Sequence, residues 1–371
     1  MVRLHTQRRW AMVAVLVAVL CALPVLASAL PVTVPTLTAS QLRARILGSA
    51  GISYSGYAES NATFGLPELS GLSSVTSLLD GVTKMRVWQA APQLWRVDVL
   101  GDDGERDTYQ LGSTGYEWNS GAQLLTEVVP ASKGTATIRL PRAADLVPTA
   151  LAQRVLSLVG TSAARFSTLP PLRVAGQSAA GLRVTPTDPA STIGSVDIWA
   201  QPSTGLPLMV EVFGRGARTP ALESQFFQVG PWKLTANVLT PPVRQPGTGF
   251  TTASASSLNG ALNNLEFEPL PATLAGHHRI PSQVANVGVY GSGLAQFAVL
   301  AVRGGNFLGD AQSGGGTPYR FPDGIGFLLN ASLINAVVAQ PDRSSDTFLI
   351  VGTVSGKVLL QAATTLTIGA S

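Results

Sequence analysis

The chain has 371 residues and a formal charge of +4, with 12% charged residues, 38 glycines and 25 prolines. Arg3, Arg8 and Arg9 fall within the first 29 residues, which hold no acid, so the remainder is close to neutral. It offers no basic block for a phosphate backbone, and nucleic-acid binding finds no support. The length suits two domains of roughly 100–200 residues, and the many turn formers favour short strands over long helices.

The N-terminus places these basic residues before an apolar run from Trp10 to about Leu26, broken by Pro24 and closing on Ala27-Ser28-Ala29. Residues 1–29 therefore read as an export signal with a small-residue cleavage pattern, or as an uncleaved membrane anchor. The protein is expected to be extracytoplasmic, either secreted or held by that segment. Cys21, the only cysteine, lies inside the run behind Leu20, where a lipoprotein signal would carry a small residue. A chain beginning near Leu30 has no thiol for a disulfide, a thiolate metal site or a cysteine nucleophile.

In "TLTASQLRARILGSAG", Thr38 and Gln41 have capping-box spacing, and Leu42 and Ile46 sit one turn apart, which predicts a helix. From "GISYSGYAES" to "LLTEVVP", short alternating runs broken by Ala-Pro, Asp-Asp-Gly, Ser-Thr-Gly and Asn-Ser-Gly predict an antiparallel meander. Within "LWRVDVL", period two puts Trp95, Val97 and Val99 on a dry face and Arg96 and Asp98 on the other. "DLVPTALAQRVLSLVG" predicts a helix with Pro148 in its first turn and Leu151, Val155 and Leu158 on one side. Strands return with Val196 and Ile198 opposed to Asp197 and Trp199, followed by Leu208, Val210 and Val212, and then by "ALESQFFQVG". The region is an antiparallel sheet with helices before and within it, an α+β layer.

Residues 239–257 have linker composition, which separates a unit at 30–238 from a smaller one at 258–371. The second unit contains "VYGSGLAQFAVLAVRGG", a glycine-rich loop at "AQSGGGTPYRFPDG", a short apolar helix around "FLLNASLINAVVAQ", a strand "TFLIVGTV" and a final helix "GKVLLQAATTL".

Reactive chemistry is sparse. "GSGLAQ" approaches a dinucleotide loop, but Gln296 holds its sixth place and a strand-like run follows where a helix is needed. His277-His278 have no other histidine or cysteine near enough in kind to complete a zinc site. Asp102, Asp103, Glu105 and Asp107 lack the twelve-residue calcium loop and have Arg106 among them, so they read as a hairpin turn facing water. No G-x-S-x-G nucleophile appears. We therefore expect no catalytic residues, no metal and no cofactor. An apolar sheet face closed by helices forms either a solid core or a greasy hollow that acyl chains fill. For such a hollow the expected lining is Met85, Val87, Val97, Val99, Val196, Ile198, Val210 and Val212 from the sheet, with Leu151, Val155 and Leu158 from the helix.

"GYAESNATFGLPELSG", "MRVWQAAPQLWRVDVLG", "GERDTYQLGSTGYEWNS" and "GSVDIWAQPSTGLPLMVEV" resemble the sheet segments of the LolA lipoprotein-carrier superfamily, in the form found in secreted proteins of GC-rich Gram-positive bacteria. "LPATLAGHHRIPSQVANVGVYGSGLAQFAVLAV" followed by "FLIVGTVSGKVLLQAATTL" is similar to the small C-terminal domain of the MucB/RseB family of sigma-factor regulators, with Tyr290, Gly293 and Leu294 at the family's positions. The resemblance implies an antiparallel half-open β-barrel with helices packed on its concave face, holding a lipid or lipoprotein acyl chain. It also implies a small α+β domain that docks on an anti-sigma factor or another membrane protein through Tyr290, Gly293 and Leu294. A lipid or lipoprotein carrier, a structural cell-surface assembly module without ligand, and a hydrolase with an unrecognised site are the competing expectations.

Overall fold

The computed structural model describes residues 32–65, 77–101, 104–129, 141–231, 236–242, 248–254, 270–280, 287–303, 306–344 and 346–369. The expected signal or anchor at 1–29, with Cys21, lies outside them. No helix among the described residues is long and apolar enough to cross a membrane.

Helix α1 (Ala39–Gly48) is followed by strands β1 (Tyr54–Thr63), β2 (Asp80–Ala91), β3 (Leu94–Gly101), β4 (Gly104–Leu111), β5 (Thr114–Asn119) and β6 (Leu124–Val129). Helix α2 (Pro148–Leu158) interrupts the strands, which resume as β7 (Ala164–Val174), β8 (Gln177–Pro186), β9 (Ile193–Ala200), β10 (Pro207–Gly214), β11 (Leu222–Gly230) and β12 (Gly249–Ser254). These twelve strands form one sheet in the order β12-β6-β5-β4-β3-β2-β1-β11-β10-β9-β8-β7. Its meander halves, β1 to β6 and β7 to β11, join where β1 pairs with β11. β12 runs parallel to β6, so part of the stretch with linker composition, 239–257, extends the sheet instead of crossing open solvent.

The second sheet holds β13 (Thr273–Leu274), β14 (His277–Ile280), β15 (Val287–Ser292), β16 (Ala295–Arg303), β17 (Thr317–Phe321), β18 (Gly324–Asn330), β19 (Asn335–Pro341) and β20 (Asp346–Gly352). Its order is β13-β14-β15-β16-β20-β19-β18-β17, with α3 (Phe307–Ser313) and α4 (Gly356–Gly369) packed on it. The architecture is thus α+β, mostly strand, in two sheets.

Local chemistry accounts for the helix ends. Thr38 Oγ1 accepts from Gln41 N at 3.2 Å while Gln41 Oε1 accepts from Thr38 N at 2.9 Å, the reciprocal cap expected at the head of α1. Pro148 opens α2, where its missing N–H removes no helical bond. Gln153 Nε2 donates to Ile46 O at 2.5 Å, and Arg43 donates to Val159 O at 3.3 Å, so the two helices lie together on one face of the large sheet. Leu42, Ile46, Ala152, Val155 and Leu156 pack there with Val196, Ile198, Val210 and Phe226 in one apolar cluster. Each such fully buried aliphatic side chain contributes about 1.5–3 kcal/mol.

Two sequence expectations are corrected. The core-facing stripe of α2 is Thr149, Ala152, Val155 and Leu156, while Leu151 and Leu158 are only half-buried beside it. The small Ala152 and the position of α2 over β10 and β11 set that rotation, which spacing alone leaves open. The apolar run "FLLNASLINAVVAQ" is a hairpin, with Asn330 opposite Asn335 and β18 and β19 paired from there to Gly324 and Pro341. A short apolar run fits either period, and pairing with β17 and β20 decides it.

The two sheets meet along a polar seam. Thr192 N donates to Thr353 O at 3.0 Å, Ser355 N to Ala190 O at 2.8 Å, and Ser191 Oγ to Leu294 O at 3.0 Å. Leu294 and Leu333, from the second sheet's loops, are buried in the first sheet's apolar cluster.

Candidate functional site

A cavity of about 240 Å³ lies between the helix-bearing face of β1–β3 and the chain from Arg142 to Gln153. Its floor is built by alternation: Val87 faces Val97 across β2 and β3, and Gln89 faces Trp95 on the same side. Tyr54, opposite Gln89 on β1, reaches over the floor and shares a 2.5 Å hydrogen bond with Thr149 of α2. Burial pushes the Tyr54 phenol well above its ordinary range, so it stays neutral. Val147, Thr149 and Ala150 form the roof, with Gln89, Arg142 and Asp145 also in the lining. The Arg142 guanidinium stands 6.0 Å over the Trp95 ring, and Gln89 Nε2 donates to Ala50 O at 3.0 Å and Ile52 O at 3.1 Å. The result is a mainly apolar hollow with one cation, one carboxylate and two amides in its wall, suited to a chain end.

The expected lining divides. Val87 and Val97 border the cavity. Met85, Val155, Val196, Ile198, Val210 and Val212 are buried in the solid apolar cluster, with Val99, Leu151 and Leu158 half-buried against it. Tyr54, Val147 and Thr149 were not anticipated, because their approach to β2 and β3 depends on pairing and on the path of the chain before α2.

The residues read as partner-docking are engaged within the chain. Tyr290 is buried in the second core, stacked on Phe297 at 5.2 Å, and its hydroxyl donates to Pro271 O at 2.7 Å. Gly293 holds φ +58° in the β15–β16 turn, and a Cβ there would lie 3.5 Å from that of Ala163. Leu294 inserts into the first core. These three residues build and seat the hairpin; they do not present a surface.

The opposite face of the large sheet carries charge under cover. Of the acidic cluster read as a hairpin turn facing water, Asp102 and Asp103 lie outside the described residues and Glu105 is part-exposed, but Asp107 is buried at 5% exposure, directly opposite Asp98 at 1%. Arg96 pairs with Asp98 Oδ1 and reaches Asp107 Oδ2 at 3.0 Å and Glu105 Oε1 at 3.7 Å. Its guanidinium is stacked between the rings of Trp88 and Tyr109, at 5.2 and 5.0 Å, and it donates to Val238 O in the turn Ala236–Leu239 at 3.2 Å. Burial drives the Asp98 and Asp107 carboxyls upward against the pull of Arg96. A second charged row crosses β8 to β11: Arg183 is bidentate to Asp197 at 2.7 and 2.6 Å, with Glu211 and Glu223 next in register. Burial, then Glu223 and Asp197, push Glu211 up to about 7. Alternation assigns Arg96, Asp98 and Asp197 to the other face without revealing that the face is partly covered.

No family model matches the chain, and no curated protein matches it. Among solved structures, the fold is similar to that of a LolA superfamily protein from Nitrosomonas europaea, at 11% identity and TM-score 0.24, covering 56% of this chain and 99% of that one. It is also similar to MucB, as the MucA/MucB complex of Pseudomonas aeruginosa, at 17% identity and TM-score 0.46, covering 87% of this chain and 96% of that one. A crystal structure of MucB with MucA(peri) gives 17% identity and TM-score 0.47 over 88% and 97% of the two chains. The resemblance to the LolA superfamily and to MucB/RseB-type proteins read from the sequence is met again in these structures.

Proposed function

We propose that this chain is a non-enzymatic, exported binding protein of the cell envelope, in which the large sheet forms a half-open barrel around α1 and α2 and accepts an acyl chain. The observation that carries the reading is the cavity of about 240 Å³ floored by Val87, Val97 and Trp95 and roofed by the start of α2. It falls below the roughly 300–1,000 Å³ of drug-sized pockets, so it receives a chain end, and a longer acyl chain enters as α2 moves off β10 and β11. Each buried methylene adds about 0.8 kcal/mol without any charged contact. Met85, Val99, Leu151, Val155, Leu158, Val196, Ile198, Val210 and Val212 become lining only in that opened state.

The proposed units are a signal or anchor at 1–29, a LolA-like domain at 30–238, a connection at 239–257 and a smaller domain at 258–371. The two main apolar clusters, one to each sheet apart from Leu294 and Leu333, which the second sheet's loops insert into the first, support this division. The smaller domain docks on a membrane partner such as an anti-sigma factor, with Tyr290, Gly293 and Leu294 fixing the hairpin that the partner meets.

Titration of delipidated protein with a fluorescent fatty acid tests the ligand. Saturable binding that Val97→Trp abolishes, in a variant with unchanged circular dichroism, supports the cavity; binding indifferent to that change removes it. The tight packing of Ile198, Val210 and Met85 favours a second reading, a ligand-free assembly module. Mass spectrometry of natively purified protein separates the two, since the module carries no lipid.

A further inference from the structure

The covered charges behind the cavity wall have an imbalance that their own contacts do not resolve. Asp98, Glu105 and Asp107 supply three carboxylates to the single guanidinium of Arg96. Arg86, opposite Asp98 on β2, is exposed, and its charge acts on Tyr57. Within the cluster, Arg96 takes Asp98 Oδ1 and shares Asp107 Oδ2 with the Tyr109 hydroxyl, which donates at 3.0 Å. The other two oxygens, Asp98 Oδ2 and Asp107 Oδ1, are fully buried and have no hydrogen-bond partner. A buried acceptor left unmade costs about 1–3 kcal/mol, and more when it is charged.

One oxygen each from Asp98, Glu105 and Asp107 lies within 4.8 Å of the others. Oxygens bound to one calcium ion at about 2.3–2.6 Å stand at most about 5 Å apart, so one such ion reaches all three. We propose that Asp98, Glu105 and Asp107 bind a hard divalent cation of the calcium type on the outer face of the large sheet. The ion neutralises the excess left by Arg96 and supplies the missing partner to both orphaned oxygens. Glu105, at 36% side-chain exposure, leaves the site open on one side, where water completes the coordination. A proton shared between Asp98 and Asp107 would satisfy the same two oxygens but would still leave two negative charges against the one guanidinium of Arg96, which reaches Glu105 Oε1 at 3.7 Å. The site braces β3 from behind Val97, on the face away from the cavity.

The test uses the whole exported chain after chelation. Trp88 and Tyr109, beside Arg96, are placed to sensitise terbium luminescence. The expected result is a saturable signal that calcium displaces, with a dissociation constant of about 10⁻⁴–10⁻³ M, as in open extracellular sites. Glu105→Gln, a half-exposed change that spares the fold, weakens terbium about tenfold or more, and Asp107→Asn abolishes the signal. Calcium also raises the unfolding midpoint of the parent and not of Asp107→Asn. Luminescence that survives both substitutions, or a midpoint indifferent to about 10 mM calcium, overturns the proposal. So does an Asp98→Asn variant more stable than a calcium-insensitive parent, which is the signature of a shared proton.

Discussion

The two sheets keep their charges in different places. The small sheet pairs Arg303 with Asp346 and Arg320 with Asp342 at its margin, with Arg320 at 65% exposure. The large sheet carries Asp98, Asp107 and Asp197 under cover, on the face turned away from its apolar core. Exposed pairs are screened and interchangeable with water; covered carboxylates depend on each partner they have. The second arrangement makes the outer face of β3 and β4 depend on the contacts that Arg96 supplies.

Removing one cation from each sheet probes this difference most directly. Arg96→Met leaves two buried carboxylates without their partner and is expected to lower stability by about 3–5 kcal/mol in urea unfolding. A loss under about 1 kcal/mol would place the large-sheet cluster in the same class as the exposed pairs. Ile350→Ala, at the centre of the small sheet's core, is expected to cost about 2–5 kcal/mol. If the sheets unfold separately, calorimetry shows only one of two transitions moving.

The charged row on β8 to β11 gives a pH test. Glu211, held up to about 7, keeps its proton in the folded chain where the unfolded chain has already lost it. The group therefore makes stability fall as pH rises from the ordinary carboxylate range through about 7. Glu211→Gln removes that slope, so its advantage over the parent is expected to be larger at pH 8 than at pH 5, measured as the urea midpoint.

Ser191→Ala removes the seam bond to Leu294 O and is expected to cost about 1 kcal/mol, with faster amide exchange in the β15–β16 turn. Arg320→Ala is expected to change stability by at most about 0.5–1 kcal/mol. A larger loss would mean that the margin of the small sheet is itself structural.

Much of the framework was legible because its causes are local. Thr38 and Gln41 marked the start of α1, Pro148 the start of α2, and the Ser-Thr-Gly and Asp-Asp-Gly turns the hairpins of β3 to β5. The β18–β19 hairpin was missed because short apolar runs such as Phe327–Leu329 and Ala336–Ala339 fit a strand or a helix equally well. Of the cavity, Val87, Val97 and the face of Trp95 followed from alternation. Tyr54, Val147 and Thr149 did not, since they reach β2 and β3 from chain positions far away.

Period two by itself assigned Val97 and Asp98 to opposite faces, because successive Cβ atoms leave a pleated strand on opposite sides. It carried no information on what covers each face. That was decided by tertiary contacts: the turn at Ala236–Leu239 lies over Arg96, and the Pro170 carbonyl of the edge strand accepts from Trp199 Nε1 at 3.1 Å. At the same edge, Gly181 leaves room between Leu169 and Trp199, where a Cβ would stand 2.6 Å from that of Leu169. Alternation is a property of one strand, whereas burial belongs to segments that meet only when the whole sheet has formed.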